Sequence, residues 1–147
     1  LSGDGQVAVR DGLAVLTEAV RANNFEKGWR GEDSPKRNVG ELSALLHSEV
    51  TEAFESYRNN EPGLWYKYPN NVKSDLPLIP FEDCLIGDHH DGEMVMGKPE
   101  GMAAELADVI IRVLDFADEY DLPIVEAVLN KHAYNQSRPY RHGGKAA

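Results

Sequence analysis

The sequence predicts an all-α fold: an antiparallel bundle of about four main helices with a long irregular insertion between helices two and three. Two observations carry that prediction. Apolar residues recur at spacings of three and four along four separate stretches, the signature of helices with one buried face. Between the second and third stretch the period fails, and Pro62, Pro69, Pro77, Pro80 and Pro99 exclude a long helix there. At 147 residues, 41% hydrophobic and 27% charged, the chain has room for a single domain with a core of its own.

The first helix is expected over about 6–23, with Val9, Leu13, Leu16 and Val20 in register and Asn23-Asn24 as its stop. Phe25 and Trp29, just beyond it, read as anchors that pack back on the bundle. The second helix is expected over 39–58, with Asn38 as N-cap and Leu42, Leu45, Leu46, Val50, Ala53, Phe54 and Tyr57 as its stripe. Residues 60–98 form the insertion, with short extended pieces at 76–81 and 94–96. Pro99 then opens a third helix to about residue 120, carrying Met102, Leu106, Val109, Ile110, Val113 and Leu114. Asp121 is the expected cap of the fourth, which has Pro123 just inside it and runs to about Asn135. Residues 137–147 make a basic tail. Stripes this long exceed what one small bundle buries, so a homodimer or homotetramer is expected.

Composition narrows the function. Fifteen Lys and Arg against twenty-five Asp and Glu give a net charge of −10 and a pI near 4.9. That balance argues against a surface that grips nucleic-acid phosphates or an anionic membrane. A small anionic substrate remains compatible, because a bound divalent cation inverts the local field. The single cysteine, Cys84, excludes an internal disulfide and any CxxC site. A composition with one thiol suits a reducing cytoplasm, the expected location, and residues 1–5 lack the basic and apolar regions of a signal peptide.

The acids within the helical stripes are the informative feature. Glu49 and Glu52 lie three apart on helix two, and Glu105 and Asp108 lie three apart on helix three. Each pair projects two carboxylates in nearly the same direction. All four sit at the margin of a core-facing stripe, where solvated charges are normally avoided. Four converging carboxylates repel one another unless some are protonated or a cation lies between them. Mg²⁺ takes such oxygen donors and keeps waters for a phosphate to replace, and Mn²⁺ accepts the same set. The competing reading is a solvated acidic face on a non-catalytic helical interaction module.

The ordered pair Glu49-x-x-Glu52 and Glu105-x-x-Asp108, in the contexts Leu45-Leu46-His47-Ser48-Glu49-Val50-Thr51-Glu52-Ala53 and Glu105-Leu106-Ala107-Asp108-Val109-Ile110-Ile111-Arg112, resembles the ExxE…ExxD motif of the MazG-like nucleoside triphosphate pyrophosphohydrolases. These belong to the all-α NTP pyrophosphatase superfamily. The resemblance covers about 6–58 and 99–145. Two departures stand out: Ser48 replaces a common acid before Glu49, and the interval between the motifs is longer than usual.

The resemblance implies hydrolysis of an NTP or dNTP between the α and β phosphates, giving a nucleoside monophosphate and pyrophosphate. Glu49, Glu52, Glu105 and Asp108 would then be the metal-binding and catalytic residues. Lys131 and Asn135 stand where relatives use a Lys and an Asn or Asp toward the nucleotide, and Arg112 is a further phosphate candidate. Lys27-Gly28-Trp29 resembles a segment upstream of the first motif; Trp29 or an aromatic of the Trp65-Tyr66-Lys67-Tyr68 run is a candidate to stack on the base, with a core or interface anchor the competing role for each. No Glu-x-x-His occurs on the helices, against a di-iron bundle. Asp88-His89-His90-Asp91 reads as a solvated turn, because no regular element sets a ligand spacing there.

Overall fold

A computed structural model of the chain describes residues 1–67 and 98–139 in full, together with the backbone of strands 73–74, 85–87 and 94–96. The described residues are mostly helical: α1 (Gly3–Glu26), α2 (Val39–Arg58), α3 (Met102–Glu119) and α4 (Ile124–Ser137). Among the described residues five short strands lie between α2 and α3: β1 (Trp65–Lys67), β2 (Lys73–Ser74), β3 (Leu85–Gly87), β4 (Met94–Met96) and β5 (Lys98–Glu100). The chain divides into two compact units, one of Leu1–Arg37 with Val113–Ala147 and the other of Asn38–Arg112. Helix α3 contributes to both.

In the first unit α1 packs on α4, and the apolar core is Val20, Leu114, Ala117 and Leu129. Ser2 caps α1 through a hydrogen bond from the Gly5 amide. The segment joining α1 to α2 is held by charge. Arg37 Nη2 lies 2.6 Å from both Asp115 and Glu119, and Arg30 and Arg21 both bond Asp118. The Tyr120 hydroxyl donates to the Arg37 carbonyl at 2.6 Å, and Lys36 stands over the Tyr120 ring. Asp115, Asp118 and Glu119 occupy consecutive turns of α3, so one helical face takes three arginines.

Asn38 caps α2 as expected, its side chain accepting from the Glu41 amide at 2.9 Å, and the helix keeps its expected bounds. Its inward face differs from the expected stripe. The buried residues are Leu42, Glu49, Ala53 and Ser56, whereas Val50, Phe54 and Tyr57 are exposed. Met102, Leu106 and Ile110 of α3 are exposed in the same way.

Several further expectations are corrected. Pro99 does not open α3; it lies in edge strand β5 opposite Tyr66, a position that tolerates a missing N–H. Asp121 does not cap α4. It takes a left-handed φ of 52° after the end of α3, and Pro123 holds the N-cap position. Phe25 and Trp29 are exposed rather than packed as anchors. The extended piece at 94–96 is β4, which pairs with β3; the one at 76–81, Cys84, residues 88–91 and the tail from 140 lie outside the described residues. No described helix is long and apolar enough to cross a membrane.

The hydrogen bond from Arg21, followed by that from Arg30, holds the Asp118 carboxyl below the usual carboxylate range against the opposing effect of burial. A depressed carboxylate contributes stability above its unfolded pKa and loses it as pH falls through the folded one. Asp118→Asn should therefore lower stability by about 3 kcal/mol at neutral pH, the usual cost of breaking a buried pair. The difference should shrink on acidification, and thermal melts from pH 7 down to pH 2 check both statements.

Candidate metal centre

The site is assembled within the second unit. Two turns of α2 carry Glu49 and Glu52, and the first turn of α3 carries Glu105. One carboxylate oxygen from each of these three lies within 4.8 Å of the other two. Glu49 is 5% exposed and Glu105 is 9% exposed, while Glu52 faces solvent. Three oxygen donors from two helices, two of them withdrawn from water, match what Mg²⁺ or Mn²⁺ takes from a protein.

Asp108 stands one turn further along α3, outside the group of three and on an exposed position. It remains within electrostatic reach. Desolvation first, then the charge of Glu49, raises its carboxyl pKa, with Arg112 and Lys98 opposing. Glu105 is raised by desolvation and by the combined charges of Glu52, Glu49 and Asp108. Arg112 bonds Glu49 Oε1 through Nε at 2.7 Å and Nη2 at 2.6 Å. Its guanidinium thus orients Glu49 and leaves Oε2 of that carboxylate open. Among the described residues this arginine is the one cation bonded to the acids, so the described cluster is short of positive charge.

A cavity of about 520 Å³ opens beside the cluster, bounded by Glu52 and Glu105 and by Glu55, Ser56, Asn59, Glu61, Trp65, Lys67 and Glu100. Its far wall is the small sheet β2-β1-β5, both pairings antiparallel. Trp65 is buried and donates its indole N–H to Glu61 Oε2 at 3.2 Å. Gly101 links β5 to α3 at a φ of 96°, and a Cβ there would lie 2.6 Å from the Pro62 carbonyl. Only glycine fits this close approach, which together with the Ala103 amide bonding Gly63 at 2.8 Å sets where α3 begins. Lys67 and Lys98 escape sequence reasoning as site residues because three-residue strands show too little alternation to detect.

The other candidates lie in the first unit. Lys131 and Asn135, one turn apart on the exposed face of α4, border a shallow groove with Ile124, Ala127, Val128 and His132. Trp29 borders a hollow with Phe25, Arg30 and Lys36.

A carboxylate whose folded pKa is raised stabilises the fold below its unfolded pKa and loses that contribution as pH rises through the folded one. In the metal-free protein the contribution of Glu105 and Asp108 should be lost as pH rises from the ordinary carboxylate range toward neutrality, and Mn²⁺ or Mg²⁺ should cancel that loss. Glu105→Gln should stabilise the metal-free chain by about 1 kcal/mol and erase its response to Mn²⁺. Melting curves with and without Mn²⁺ at two pH values test this, and a variant that still responds fully would remove Glu105 from the site. The chain matches no protein-family model, no curated protein and no solved structure.

Proposed function

We propose that this chain is a divalent-metal-dependent nucleoside triphosphate pyrophosphohydrolase that cleaves between the α and β phosphates. The observation that carries the reading is the convergence of Glu49, Glu52 and Glu105 oxygens within 4.8 Å at the edge of an open cavity. The ExxE…ExxD resemblance supplies the choice of bond.

Glu49, Glu52 and Glu105 would hold Mg²⁺ or Mn²⁺, which would neutralise phosphate charge and lower the pKa of a bound water. Glu49, Glu52 and Glu105 provide the oxygen donors, and Arg112 fixes the orientation of Glu49. Asp108, the acid outside the group of three, is assigned the proton leaving the attacking water. Lys131, Asn135 and Trp29 are proposed to hold the nucleotide, an assignment that rests on the resemblance.

Incubation with a panel of NTPs and dNTPs and Mg²⁺ should release nucleoside monophosphate and pyrophosphate. Glu49→Ala and Asp108→Ala should each lower turnover by at least about a hundredfold, the equivalent of several kcal/mol of barrier. Release of orthophosphate alone contradicts the proposed bond, whereas no cleavage of any nucleotide refutes the hydrolase reading and leaves the non-catalytic interaction module as its replacement.

We further propose that the protein works as a homodimer or homotetramer. Val50, Phe54 and Tyr57 of α2 and Met102, Leu106 and Ile110 of α3 are each more than 40% exposed. Together they present on the order of 600 Å² of apolar surface, against roughly 800 Å² per partner in a standard interface. Light scattering should report an oligomer, and Val50→Glu combined with Phe54→Glu should convert it to a folded monomer. A wild-type monomer contradicts the proposal.

A further inference from the structure

Outside the acidic cluster, the sheet that walls the cavity carries an arrangement of its own. In the β1–β5 pairing Lys67 stands directly opposite Lys98, and in the β1–β2 pairing Lys67 stands opposite Lys73. The backbone register therefore sets three lysines in one row across the sheet. Like charges placed directly opposite are destabilising in an antiparallel pair. Cross-strand partners share a face, and residues two apart along a strand share it too. Trp65, Lys67, Lys98 and Glu100 thus belong to one face, and Trp65, Lys67 and Glu100 border the cavity beside Glu52 and Glu105. Tyr66 and Pro99 belong to the other.

The existing counter-charge does not account for the row. Lys98 bonds Glu100 at 2.9 Å, but its side chain remains 71% exposed. Lys67 makes no ion pair among the described residues. The bond to Glu100, and beyond it the charges of Glu105 and Asp108, keep the Lys98 ammonium protonated, so this cation lies within electrostatic reach of the acids. The cavity is thus bordered by the carboxylates of Glu52 and Glu105 on α2 and α3 and by Lys67 on β1, with Lys98 next to Lys67 in the sheet register. A polyphosphate chelated to a divalent cation has the complementary pattern. Its cation meets carboxylates, and its non-bridging oxygens meet ammonium groups.

We propose that Lys67 and Lys98 bind the phosphate chain of a metal-chelated polyphosphate, holding the end that leaves as pyrophosphate. The proposal rests on the reading of Glu49, Glu52 and Glu105 as cation ligands, and it adds a cationic subsite supplied by the segment between the two acidic motifs. Both lysines position the substrate. The competing explanation is that they only keep short edge strands from pairing with another sheet.

The test uses the full chain and magnesium tripolyphosphate, which has no base or sugar, with binding read by calorimetry. Wild type should bind, and Lys67→Met and Lys98→Met should each weaken binding about tenfold, as expected for one charge-assisted contact. Lys98→Arg should recover most of the affinity. Mn²⁺ binding in the absence of polyphosphate should be unchanged or tighter in the Met variants, which separates this subsite from the carboxylates. Without anion, Lys67→Met should melt at or above the wild-type temperature, since it relieves repulsion. Failure of wild type to bind tripolyphosphate, or equal affinity in both Met variants, overturns the proposal. Edge protection alone would appear as self-association of the Met variants with tripolyphosphate affinity unchanged. A chain that cleaves NTPs with the same KM in the Met variants loses the lysine subsite and keeps its activity. One that binds tripolyphosphate through the lysines and cleaves nothing keeps the subsite and loses the hydrolase assignment.

Discussion

The second unit is organised around carboxylates withdrawn from water on a helix that had apolar residues available for the same purpose. On α2 the buried positions Leu42, Glu49 and Ser56 are seven apart, and Ala53 falls between the last two. Helical geometry gives that choice a cost. The face that turns Glu49 inward turns Val50, Phe54 and Tyr57 outward. A rotation about the helix axis would bury the aromatics and release the acid to solvent. The arrangement found instead removes Glu49 and Glu105 from water and leaves large side chains exposed, which lowers the stability of the isolated chain. Sites that hold a ligand are where such local inconsistency is expected.

The two units handle charge in opposite ways. In the first, Asp115, Asp118 and Glu119 are matched by Arg21, Arg30 and Arg37, with Asp118 held ionised and bonded by two guanidinium groups. Charge there serves as a fastening, tying the segment before α2 to the C-terminal half of α3. In the second, Arg112 is the one cation bonded to Glu49 among the described residues, and desolvation with the charges of Glu52, Glu49 and Asp108 raises the proton affinity of Glu105. Equal numbers of acids in each group thus lead to different chemistry. A balanced network resists change in its surroundings, whereas an unbalanced one gains free energy from any cation that enters.

Much of this was legible in the residue order, and the failures share a physical cause. Long periodic segments announced themselves: α2 starts at its asparagine cap and ends where expected, and the ExxE spacing brings Glu49 and Glu52 into the three-oxygen group. Which side of a helix turns inward was not legible, because Leu42 to Tyr57 contains two overlapping apolar stripes and only tertiary contacts choose between them. Asp108 shows the same limit, since spacing placed it with Glu105 while the geometry leaves it outside the three-oxygen group. Elements defined by distant partners were invisible as well. Arg37 finds Asp115 and Glu119 across nearly eighty or more intervening positions, and β1 and β5 acquire meaning only when paired. Pro99 looked like a helix start because that is its commonest use after a turn-rich stretch, yet an edge strand satisfies it equally.

Gly101 is where the two walls of the cavity become one construction. Strand β5 ends at Glu100 and α3 begins at Met102, so this single residue separates the sheet from the helix that carries Glu105. Its left-handed φ and its approach to the Pro62 carbonyl leave the chain little freedom to reorient. The backbone pairing of Trp65 with Glu100 and the bond from the Ala103 amide to Gly63 bind the same junction from both sides. A lysine three residues before the glycine and a carboxylate four residues after it are therefore held by one rigid turn. A cation–anion pair of binding surfaces needs that fixed separation if a chelated phosphate chain is to meet both at once, and a flexible linker here would spend the binding energy on ordering the site.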